Sequence, residues 1–189
     1  MAGLESVVVG IDVGGLKRGF EICYMTTNGK VKAITHHTNS KTIIDEIAQQ
    51  GYKVAAIAID CPPRAWIQSI ETRRSERELH RAGYRIQWTA RDANKTSEWM
   101  RNGEELWKDL KESHLCKTLI ETFPTAACDM LCMEDPFVPL FSFCGKGKRR
   151  YYKDMIDAVI CANTARKYIM GIDKLHIYGK GDMYGEICV

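Results

Sequence analysis

The chain has 189 residues, of which 45% are hydrophobic and 27% are charged, and its formal net charge is +3. This length is enough for one domain with a sizeable core, so we expect residues 1–189 to form a single domain. No apolar run reaches the 18 or so residues that span a bilayer, and we expect no membrane association. The first ten residues lack the basic segment of a signal peptide, which favours a cytoplasmic protein.

Three strands joined by tight turns are predicted in the first part of the chain. The apolar run Val7–Asp12 is typical of a buried strand, and Gly14 and Gly15 follow it. Gly19–Met25 and Val31–His36 are two further strands, because a hairpin turn signal lies between them. We therefore expect a three-stranded antiparallel meander.

Helices and strands alternate in the rest of the chain. A helix with Ser40 as its N-cap ends before Gly51, and Val54–Asp60 is again an apolar strand that ends on an aspartate. The remaining predicted elements are a helix over Glu71–Ala82, a short strand or irregular segment at Tyr84–Thr89, a helix over Ser97–Ser113, a strand over Lys117–Glu121, a short helix from Pro124 to Leu131, a loop at 134–150, a helix over Tyr152–Met170 and a short strand at Gly185–Val189.

This order predicts an α/β fold with the ribonuclease H-like topology. The meander and the later parallel strands would form a mixed five-stranded sheet, and helices would cover both of its faces. Residues around 62–115 would be a helical and loop insertion, and residues 134–150 a loop.

Acidic residues end three of the predicted strands. Asp12, Asp60 and Glu121 take the same position in their strands, and the carboxyl ends of strands form the usual site in such sheets. Asp154 and Asp157 are three residues apart, so they share one face of the last helix. Taken singly, each acid could equally cap a helix or end a strand in a turn.

Clustered carboxylates repel one another, and divalent cations remove that penalty. Oxygen ligands suit Mg²⁺ or Mn²⁺. Two such ions can stabilise the attacking water and the leaving oxygen of a phosphodiester. We therefore expect a metal site that contains two ions, with the five acids as catalytic residues and Asp12, Asp60, Glu121 and Asp157 as ligands.

Several segments, in this order, resemble the "domain of unknown function 429" family, whose members are described as predicted nucleases of the ribonuclease H-like superfamily. The segments are GIDVGG, RGFEI, AIAIDCPPRA, TRRSERELHRAG, LIETFPTAA and KDMIDAVICANTA. The resemblance runs from about residue 6 to the C-terminus.

The resemblance implies roles for the same acids. Asp12 matches the first-strand aspartate expected to bridge the metals. Asp60 matches the acid of an I-D-x-P motif, and Glu121 the acid of an I-E-x-x-P motif. Asp157 matches the aspartate of the D-A pair in the last helix, with Asp154 one turn before it. Either Arg73 or Arg74, together with Glu76, fits an R-x-x-E helix motif.

Positive charge is concentrated in two segments, which we interpret as contacts for the phosphates of DNA or RNA. The residues concerned are Arg73 and Arg74 in the first segment, and Lys146, Lys148, Arg149, Arg150 and Lys153 in the second. Acidic residues interleave with the first segment, so it could equally be a solvated helix face, or its arginines could pair with the acids of the site.

The leading hypothesis is therefore a metal-dependent hydrolase of nucleic acids. A non-catalytic nucleic-acid-binding or assembly module on the same fold is the first alternative. The second is an ATP-dependent phosphotransferase, because Gly10–Gly15 resembles the phosphate-binding turn of sugar kinases and actin-like ATPases. Those enzymes use two such domains, and this chain is long enough for one. A homodimer is the other association that we consider.

Overall fold

The computed structural model describes residues 4–69, 71–130, 152–172 and 175–189. Seven strands form one mixed sheet in the order β3-β2-β1-β4-β5-β7-β6. The strands are β1 (Ser6–Val13), β2 (Phe20–Thr26), β3 (Val31–His37), β4 (Lys53–Asp60), β5 (Leu119–Thr122), β6 (Ile177–Tyr178) and β7 (Ile187–Cys188).

The sheet is antiparallel on one side of β1 and largely parallel on the other. Strands β1, β2 and β3 form an antiparallel meander. Strands β4, β5 and β7 continue from β1 in parallel, and β6 is antiparallel to β7. β1 is therefore flanked by β2 and β4, and seven of its eight residues are buried. A strand enclosed in this way reads as a continuous apolar run in the sequence.

Five α-helices lie in the described part of the chain. They are α1 (Ser40–Gln49), α2 (Arg74–Arg81), α3 (Glu98–Ser113), α4 (Pro124–Asp129) and α5 (Lys153–Met170). None of them is long and apolar enough to cross a membrane.

The helices cover both faces of the sheet. On one face, α1 and α3 pack their apolar stripes against residues such as Ile11 and Ile59. On the other face, α5 packs against Val8, Ala56 and Ala58. The small side chains on this second face allow α5 to lie close to the sheet. The prediction of an α/β fold is therefore confirmed.

Some details differ from the sequence prediction. The sheet has seven strands rather than five. β7 lies within the short strand predicted at Gly185–Val189, whereas β6 has two residues and is too short to show a periodic pattern. Asn39, not Ser40, is the N-cap of α1, and its side chain accepts from the Thr42 amide. Ser40 instead donates to Asp109 of α3. The predicted loop at 134–150 lies outside the described residues.

Candidate metal site at the carboxyl ends of the central strands

Asp12 and Asp60 lie side by side where β1 and β4 end. The parallel register pairs Asp12 with Asp60, and one step earlier it pairs Ile11 with Ile59. Successive side chains of a strand point to opposite faces of the sheet. Because the two isoleucines pack beneath α1 and α3, both aspartates point toward α5.

Helix α5 adds the third acid, Asp157, from its second turn. Gly10 lets the helix approach, since a Cβ at Gly10 would lie only 2.0 Å from the backbone nitrogen of Ala162. Carboxylate oxygens of Asp12, Asp60 and Asp157, which we call the acid trio, all lie within 4.8 Å of one another. Our sequence reasoning missed Gly10, although a glycine inside an apolar strand commonly marks a close backbone approach.

Desolvation and repulsion from neighbouring acids disfavour the charged forms of Asp12 and Asp60. The pKa of Asp12 rises from 3.8 to about 7, first because the group is buried and then because of the charges on Asp157 and Asp154. The pKa of Asp60 is raised well above its ordinary value by desolvation and next by the charges of Asp12 and Asp157. A bound cation would offset these costs. Three carboxylates form a donor set that fits a hard cation such as Mg²⁺ or Mn²⁺.

Two cationic side chains lie against the acids of α5. Lys153 donates to Asp157, and Arg18 donates to Asp154. Burial acts against the charge of Lys153, but the bond to Asp157 and the nearby acids keep its pKa above the ordinary value. Asp154 is thus paired outside the trio, although its charge contributes to the raised pKa of Asp12.

The structure does not bring Glu121 into the trio. Glu121 pairs in register with Ile59, one residue before Asp60, so its side chain lies on the opposite face of the sheet. There its carboxylate receives a bidentate ion pair from Arg73, with Nη1 of Arg73 2.8 Å from Oε1 of Glu121. Burial raises the pKa of Glu121, and Arg73 acts in the opposite direction.

The arginines of the first basic segment are also occupied. Arg73 is only 1% exposed, and besides Glu121 its guanidinium contacts the Gly185 carbonyl oxygen at 3.2 Å. Arg74 is exposed, but its Nε donates to Glu78 at 2.7 Å. Arg73 is therefore too deeply buried for the phosphate contact that we predicted. The structure instead agrees with the alternative in which this arginine pairs with an acid.

The predicted phosphate contacts at Lys146, Lys148, Arg149 and Arg150 lie outside the described residues. Lys153 is described, and its side chain is 56% exposed while it contacts the trio. Among the described residues, Lys153 thus represents the second basic segment, and it lies beside the acids.

A cavity of about 260 Å³ opens at two members of the trio, Asp12 and Asp60. Lys153 and Arg18 lie on its wall, and Glu121, although outside the trio, also lines it. The segment between β4 and β5 closes another side with apolar and polar side chains, which are those of Leu79, Ile86, Gln87 and Trp99. A larger cleft of about 670 Å³ beside β5 contains no member of the trio.

The glycine turn after β1 is closed by its own backbone. The Gly14 amide donates to the Gly19 carbonyl at 2.8 Å, and Asn102 of α3 donates to the Gly14 carbonyl at 2.9 Å. A Cβ at Gly15 would lie 3.1 Å from a carboxylate oxygen of Glu98. An acidic side chain thus lies where a phosphate would approach this turn.

No family model matches the chain, and no curated protein matches it either.

Proposed function

We propose that the chain is a divalent-metal-dependent nuclease with a ribonuclease H-like fold. The convergence of Asp12, Asp60 and Asp157 from β1, β4 and α5 is the observation that carries this proposal. The raised pKa values of Asp12 and Asp60 support it, because they show acids held together at a cost in free energy.

The order of the strands supports the fold part of the proposal. An antiparallel β3-β2-β1 unit is followed by the parallel strands β4 and β5, with helices on both faces. The sequence segments that resemble the domain of unknown function 429 family include β1, β4, β5 and α5, and they contain every member of the trio.

The reaction would be hydrolysis of a phosphodiester bond. One water adds across a P–O bond, so that its hydroxyl goes to phosphorus and its proton to the leaving oxygen. A divalent cation at the trio would supply the charge that stabilises the phosphate and activates the water. The trio would hold that cation, while Lys153 and Arg18 on the cavity wall would attract the phosphates of the substrate.

A kinase-type activity has less support. The Gly14 amide is already bonded within the turn, and the carboxylate of Glu98 lies beside Gly15. Both features oppose the binding of a phosphate there, since such a turn acts through free amides and a positive potential.

Cleavage assays with Mg²⁺ or Mn²⁺ test the proposal on single-stranded, duplex, hybrid and branched DNA and RNA. We expect cleavage of at least one substrate, and a loss of roughly 100-fold or more in Asp12→Asn and Asp157→Asn, as is typical when a strong electrostatic contact is removed. Asp45→Asn on the exposed side of α1 is the matched control. Binding of nucleic acid without metal-dependent cleavage would contradict the proposal and favour a non-catalytic module.

A further inference from the structure

The trio has a neighbouring cation of its own, the ammonium group of Lys153. Its Nζ donates to Asp157, which is buried with only 3% of its surface exposed. Lys153 and Asp157 are one helical turn apart on α5, a spacing that places the ammonium group beside Asp157 on the same face of the helix.

Two other acids near the site, Asp154 and Glu121, have arginine partners. Asp154 pairs with Arg18, and Glu121 pairs with Arg73 on the opposite face of the sheet. Glu76 also lines the cavity, 3.6 Å from the same arginine. Among the described residues, the acids whose oxygens lie close enough together to hold a metal are the three of the trio, which is fewer than the two-ion expectation assumed.

The balance of charge then limits how many ions the free chain takes up. One divalent ion and the Lys153 ammonium group together supply three positive charges, which equals the charge of the ionised trio. Two divalent ions beside the same lysine would leave an excess of positive charge next to Asp12 and Asp157, which are buried, and like charges at short distance are costly there.

We propose that Lys153 takes the place of a second metal ion, so that the chain without nucleic acid binds one divalent cation at the trio rather than two. This inference rests on the proposed metal site and assigns to Lys153 a role in setting its composition. More than half of the Lys153 side chain is exposed and it lines the cavity, so the same lysine can also contact a phosphate there.

Mn²⁺ titration of the purified chain, followed by electron paramagnetic resonance and equilibrium dialysis, tests the inference without any measurement of activity. We expect one Mn²⁺ per chain, with an uncoupled spectrum. Lys153→Met removes the competing charge and should allow a second Mn²⁺, seen as a spin-coupled pair. Lys153→Arg keeps the charge and should again bind one ion. Lys180→Met, at an exposed lysine in the turn between β6 and β7, is the control and should bind the same number of ions as the unsubstituted protein.

Two Mn²⁺ ions in the unsubstituted chain, or one ion in both it and Lys153→Met, would overturn the inference. Circular dichroism of each variant checks that the fold is intact. Failure of the inference and failure of the proposed function are distinguishable. A chain that cleaves nucleic acid but binds two ions contradicts only the inference, and a chain that binds one ion but cleaves nothing contradicts only the proposed nuclease.

Discussion

At the scale of single residues, Gly10 controls how closely α5 approaches β1. A Cβ on Gly10 would lie 2.0 Å from the Ala162 nitrogen and 2.2 Å from the Ala158 oxygen. These are backbone atoms of a helix, so no side chain can move aside to make room. The position of Asp157 relative to Asp12 therefore depends on the absence of a side chain at Gly10.

Gly10→Ala should destabilise the protein by about 3 kcal/mol or more, because the helix must move away from the sheet. Urea denaturation measures this change. Gly15→Ala is the control, since a Cβ there meets only the end of the Glu98 side chain, and its effect should stay within about 1 kcal/mol. Equal stabilities of the two variants would show that the close contact does not matter.

The ionisation of Asp12 predicts how stability depends on pH. The pKa of Asp12 is raised by burial from 3.8 to about 7, so between these values the folded chain binds more protons than the unfolded chain. The contribution of Asp12 to the free energy of unfolding should therefore be fully present below about pH 4 and fall as the pH rises to about 7.

Thermal unfolding in EDTA across this pH range checks the prediction. The midpoint should fall more steeply with rising pH in the unsubstituted chain than in Asp12→Asn, which has no proton to lose at this position. Added Mg²⁺ should reduce the fall. Parallel pH profiles for the two proteins would contradict the assigned shift.

At the scale of elements, a buried ion pair anchors α2 to the sheet. Arg73 immediately precedes the helix and pairs with Glu121 of β5, and both side chains are at most 7% exposed. Removing one partner of such a pair leaves an uncompensated buried charge, which typically costs 3–5 kcal/mol. The segment that closes the cavity at the trio is therefore fixed by Arg73.

Arg73→Met should destabilise the protein by about 4 kcal/mol, and Arg73→Met combined with Glu121→Met should recover a large part of that loss. Arg74→Met is the matched control, because its exposed pair with Glu78 contributes at most about 1 kcal/mol. Chemical denaturation of these three variants and of Glu121→Met alone measures the coupling. Additive effects of the Arg73 and Glu121 substitutions would contradict the role of the pair.

The same elements show what the sequence could and could not predict. Asp12 and Asp60 were predictable because each ends a long apolar run, and parallel strands bring such ends together. The side of the sheet that Glu121 faces was not predictable, since a shift of one residue in register moves every side chain to the other face. The sequence also left open whether Arg73 contacts phosphate, lies on a solvated helix face or pairs with an acid, and its contact with Glu121 of a distant strand decides among these.

At the scale of the whole molecule, two layers of helices hold the carboxyl ends of β1 and β4 in place. Helices α1 and α3 support one face of the sheet, and α5 covers the other face and supplies Asp157. The trio thus combines residues far apart in the sequence. The seven-stranded α/β architecture brings the three carboxylates together, and the proposed nuclease activity requires a metal ion bound between them.

A crystal structure with Mn²⁺, examined by anomalous scattering, tests this central claim most directly. We predict an anomalous peak between Asp12, Asp60 and Asp157, with carboxylate oxygens at about 2.0–2.3 Å from it. The peak should be absent in Asp157→Asn and present in Asp45→Asn. Density for the three carboxylates without a peak between them, in crystals soaked with Mn²⁺, would contradict the claim.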